Sequence, residues 1–163
     1  VFRRKRSTEG PTDAPGVALR AMALAVAPAD IGVEADGAAV WGFVMDTGME
    51  GGGWHALVVF ADGTTSLYTH AQFGVIGAGA HDAVRTASQA LLASAADHLQ
   101  LFGPDDDDST PPPGQVVMRA LTFDGRKAVT AAEEDLGHMR HPASPVFHAA
   151  HAVISAIRQA TPL

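Results

Sequence analysis

The chain has 163 residues, a formal net charge of −7, 47% apolar residues and no cysteine. That length fits one domain able to bury a core without metal or disulfide support, and the apolar content excludes a disordered chain. The missing cysteines exclude disulfides, thiolate zinc sites and cysteine nucleophiles.

The charge is unevenly spread. Four of the eleven basic residues lie in Arg3-Arg4-Lys5-Arg6, which leaves seven basic against eighteen acidic residues in the rest. So acidic a body argues against nucleic acid as the main ligand. No run of about 18 apolar residues occurs, so no transmembrane helix is expected. A cysteine-free chain suits the reducing cytoplasm. Two lysines against nine arginines suggest a GC-rich bacterial genome.

In chain order, residues 1–13 read as a disordered basic and polar arm, and 14–163 as a single α+β domain. Gly16 to Ala27 reads as an alanine-rich helix with Pro15 in its first turn. Val40 to Asp46 is the first strand. Trp54 to Ala61 is the second, and it is apolar at nearly every position, which calls for cover on both faces and an interior place. Asp62-Gly63 is a hairpin turn leading to a third strand, Thr65 to His70. A glycine-rich corner, Gly74 to Gly79, leads into a long helix from Ala80 to Phe102. Its stripe is Val84, Ala87, Leu91, Ala95, Leu99 and Phe102.

The stretch 104–114 holds Asp105 to Asp108 and Pro111 to Pro113. It reads as a mobile loop that buries nothing. Two more strands follow, Gln115 to Phe123 and Arg126 to Ala132, joined by Asp124-Gly125. Glu133 to Ala143 reads as a charged loop. Ser144-Pro145 signals a helix start with a capping serine. The last helix buries Phe147, Ala150, Val153, Ile154 and Ile157. The expected architecture is a five-stranded antiparallel sheet with packed helices, in the order α-β-β-β-α-β-β-α. That order looks like the small acidic chaperones of type III secretion and, more loosely, profilin-like domains; topology is the whole of the likeness.

Three local patterns invite chemistry. Asp46-Thr47-Gly48 after an apolar strand resembles the signature of retroviral-type aspartic proteases, which implies a dimer sharing two carboxylates. Met49 follows where that family has a small residue, and Val75-Ile76-Gly77 follows only about 30 residues on, so Asp46 is expected to be an ordinary turn residue. His138 and His141 are three apart in a loop, and His148 and His151 are three apart on a helix. These four are the residues a metal site would use. Gly74 to Gly79 precedes a helix N-terminus, but its spacing is neither a P-loop nor a dinucleotide fingerprint.

No cofactor is expected. The leading expectation is a non-enzymatic, protein-binding adaptor or chaperone-like domain. It forms a homodimer because helices on one side leave the other sheet face uncovered. Trp41, Trp54 and Phe73 are then exposed partner-binding aromatics. The alternatives are a histidine-dependent metal protein or enzyme using 133–151, and a structural subunit of a larger assembly.

Overall fold

The computed structural model describes residues 14–35, 39–71 and 74–161. Its strands are β1 (Gly42–Gly48), β2 (Trp54–Phe60), β3 (Thr65–Thr69), β4 (Gly103–Pro104), β5 (Gln115–Thr122) and β6 (Gly125–Ala132). Its helices are α1 (Pro15–Ala25), α2 (Asp82–Asp97), α3 (Glu133–Gly137) and α4 (Ser144–Ala160). The strands form one antiparallel sheet in the order β3-β2-β1-β5-β6-β4. The sheet thus has six strands, not the expected five. The extra one is a two-residue strand, Gly103–Pro104, paired with Lys127 and Ala128. Two residues leave no alternating pattern to read, which is why the sequence does not show it. For the same reason the expected charged loop conceals α3, whose Leu136 is buried. The long helix also ends earlier than its stripe suggests: α2 stops at Asp97, and Leu99–Leu101 is a separate 3₁₀ turn.

Alternation along each strand sorts the interior into two layers. On one face, Phe43, Met45, Leu57, Val59, Val116 and Met118 pack under α2 and α4. Helix α4 contributes Phe147, Ala150, Val153, Ile154 and Ile157, all buried as its periodicity predicts. Helix α2 adds Val84, Leu91 and Ala95, and its buried Ser88 hydroxyl bonds Thr65 on β3 at 3.0 Å. Ser144 does not cap α4. Its hydroxyl is buried without a partner, and the entry is held instead by the His141 ring, whose Nδ1 accepts the Ala143 N–H at 3.0 Å.

On the other face, Val44, Trp54, Ala56, Val58, Phe60, Tyr68 and Leu121 pack with Trp41 and with Ala23 of α1. This layer also holds charge. Arg20 of α1 grips Asp46 with two donors, Nε to Oδ1 at 2.9 Å and Nη2 to Oδ2 at 2.6 Å. Arg119 of β5 donates Nη1 to the same Asp46 Oδ2. Its Nε donates to Asp105 at 3.1 Å, and Arg126 pairs with both Asp105 and Asp108 at 2.7 Å. The Arg20 guanidinium also lies over the Trp54 ring, 5.6 Å from its centroid.

Asp46 is therefore a wholly buried sheet residue and not a turn residue. The proline- and aspartate-rich segment is also corrected, because it does pack. Its backbone carbonyls at Asp107, Asp108 and Ser109 accept hydrogen bonds from Arg20 and Arg119. Pro111 is buried. The segment is a strap across the open half of the second face. Gly48 is glycine because any Cβ there would collide with the Pro112 carbonyl. Gly79 likewise admits the Gly63 carbonyl beside α2. The Asp-Thr-Gly triplet is thus explained by packing: an anchor for two arginines, then a seat for the strap.

Breaking a buried ion pair from one side strands the partner charge, at a cost of about 3–5 kcal/mol. Asp46→Asn should destabilise the fold by about that much in urea titration. A change within about 0.5 kcal/mol, the usual range for a surface site, would show that the network does not hold this face.

Candidate functional site

The face beneath α4 is apolar until its last row. There the register aligns Thr47, His55 and Thr69 across β1, β2 and β3. All three share the parity of Met45, Leu57 and Leu67, so they point toward the helices. His55 and Thr69 line a cleft of about 340 Å³ between this end of the sheet and the C-terminal half of α4. Its walls are Met49, Leu67, Val75, Ile154 and Ile157, and Gly74, Arg158 and Thr161 complete the lining. The volume lies at the small end of ligand pockets, roughly 300–1,000 Å³. Gln72 and Phe73 lie outside the described residues.

Polar atoms beside the cleft are under-used. Thr47 Oγ1, His55 Nδ1 and His151 Nε2 are buried with no hydrogen-bond partner among the described residues. Burial is the first cause that lowers the pKa of both His55 and His151. Arg158 lowers His55 further while Asp46 opposes; His55, His148 and Arg158 lower His151 further. Both rings therefore favour the neutral form, which carries one donor and one acceptor. Arg158 is exposed on the last turn of α4 and has no ion-pair partner among the described residues. Among the described residues no carboxylate lines the cleft, although acidic residues outnumber basic ones in the chain.

Comparison of the chain with protein families, with curated proteins and with solved structures finds no match.

The residues singled out in the sequence are dispersed. His138 uses Nδ1 on the Glu134 carbonyl at 2.8 Å, and His141 uses Nδ1 at the entry to α4. His148 is exposed, edge-on to Phe147. His151 packs on Phe147 with ring centroids 4.4 Å apart. No group of three or more His, Asp or Glu that could hold a metal forms among the described residues. Trp41 and Trp54 are corrected from exposed to buried. Trp41 lies against Phe60 and Trp54 against His70, both in the layer that α1 covers. Phe73 and the arm at 1–13 lie outside the described residues.

Sequence reasoning passed over His55 and Arg158. The legible signal was a histidine at the start of an otherwise apolar strand; nothing in the sequence linked it to Arg158, about 100 residues away.

The paired histidines predict a pH dependence. Unfolded histidine titrates near 6.5, and the folded values lie lower. Their stabilising effect is therefore complete above about 6.5 and is lost as pH falls through the folded values. The urea midpoint should drop between about pH 7.5 and about pH 5, and His55→Gln with His151→Gln should flatten that drop. An unchanged slope in the double variant would assign the drop to other groups.

Proposed function

We propose that this domain is a non-enzymatic binding protein whose ligand site is the cleft between α4 and the Thr47–His55–Thr69 row. The observation that carries this reading is a concave, mainly aliphatic cleft with a few convergent polar groups, the usual form of a small-ligand site. The exposed rim adds to it: Met49 is 40% exposed and Ile76, next to the lining residue Val75, is 59% exposed. A bacterial cytoplasmic setting, expected from composition, belongs to the same proposal.

A second reading keeps the adaptor and homodimer. The exposed Met49 and Ile76 favour it, because an apolar side chain of a protein partner or a second copy would cover them. A second copy is no longer required to cover the sheet, since α1 and the strap occupy the face expected to be bare.

Nile red, an uncharged apolar dye, tests the cleft. Its fluorescence should rise on the native protein and not on Val75→Trp, which fills the cleft, provided the variant keeps a native urea transition. Equal dye binding by the filled variant would overturn the reading. For the second reading, sedimentation equilibrium at micromolar concentration should show a dimer that Ile76→Asp dissociates. A monomer throughout would remove it.

A further inference from the structure

We infer that the ligand is a small amphipathic carboxylate, its aliphatic tail between Val75 and Ile157 and its head held by Arg158 beside His55. This inference rests on the cleft being a binding site and adds the chemical class of the occupant.

Three observations converge. The first is the wall. Leu67 and Val75 on the sheet side and Ile154 and Ile157 on the helix side give the cleft a mainly aliphatic wall. Apolar area removed from water there favours binding at roughly 25 cal/mol per Å². The second is charge. Arg158 is the one charged residue among the described lining residues, and no aspartate or glutamate among the described residues pairs with it. The other arginines with described side chains, Arg20, Arg85, Arg119, Arg126 and Arg140, all pair with carboxylates. An unpaired guanidinium at the mouth of an apolar cleft matches a planar carboxylate, which it can engage with two parallel hydrogen bonds.

The third is the row beneath. His55 lines the cleft and is held neutral by burial. A neutral imidazole can donate one N–H to a carboxylate oxygen without bringing a second charge. The C-terminus of α4 itself favours cations. It stabilises Arg158 and disfavours a bare anion, so the guanidinium must do the holding. This distinguishes the site from the anion seats at helix N-termini.

Octanoate, octanol and octylammonium share a tail and differ in head, and calorimetric titration of the full chain with each reads the head preference. Octanoate should bind at least about tenfold more tightly than octanol and octylammonium more weakly than either, a difference of about 1.4 kcal/mol per tenfold. Arg158→Gln should bring octanoate to the affinity of octanol and leave octanol unchanged. Arg158 is exposed, so the variant should keep the native urea midpoint. Equal binding of octanoate and octanol by the native chain, or a preference that survives Arg158→Gln, would overturn the carboxylate assignment and leave the cleft reading in place. Nile red binding with no binding of any octyl probe would also overturn it. Failure of both Nile red and the octyl probes would reject the cleft as a ligand site altogether.

Discussion

A carboxylate in the middle of a sheet face is tolerable only when its charge is answered on the spot. Asp46 is that carboxylate, and the rest of the second face is arranged around it. Arg20 reaches it from α1 and Arg119 from β5, so one side chain joins a helix to two neighbouring strands. The two guanidiniums have further donors to satisfy. These turn outward to the carbonyls of Asp107, Asp108 and Ser109. The strap is therefore the outer shell of the Asp46 network. Its aspartates then balance the arginines, with Asp105 bridging Arg119 and Arg126. Removing the strap would expose unsatisfied donors, which is why so polar a segment still packs.

This arrangement frees the opposite face for a different use. With α1 and the strap covering one side, α2 and α4 pack entirely on the other. In the apolar layer under α4, Val153, Phe43, Met45 and Leu57 are buried within one cluster. At the end of the strands the side chains become Thr47, His55 and Thr69. Thr47 Oγ1 and His55 Nδ1, buried without a hydrogen-bond partner among the described residues, beside aliphatic walls and an Arg158 that no described carboxylate pairs, are the physical basis of the proposed site. Each unsatisfied buried group costs roughly 1–3 kcal/mol, and for His55, which lines the cleft, a ligand able to donate or accept there would relieve that penalty.

Much of this was legible in the chain. Alternation, the two Asp-Gly turns and the helical stripes marked five strands and the main helices, and the apolar run Trp54 to Phe60 marked an interior strand. The buried stripe of α4 was read residue by residue. Those features are local: period two or period 3.6 over a few turns. The local pattern also contained Arg119 inside an apolar strand and Arg20 inside an alanine-rich helix. A lone charge on a buried periodicity calls for a buried partner, and Asp46 in a third apolar segment was that partner.

By itself, then, the sequence determined the five longer strands, the main helices and the α+β class, because each follows from spacing along the chain. Only the tertiary structure decided that Trp41 and Trp54 are interior, that the acidic strap packs, and that His55, His151 and Arg158 come together. The reason is physical. Whether an aromatic ring is covered, or a carbonyl meets a guanidinium, depends on residues dozens of positions away: Arg20 and Asp46 are separated by 26, Arg20 and Asp108 by 88. Periodicity gives the side a residue faces; the paired register of strands and the seating of helices decide what it meets there.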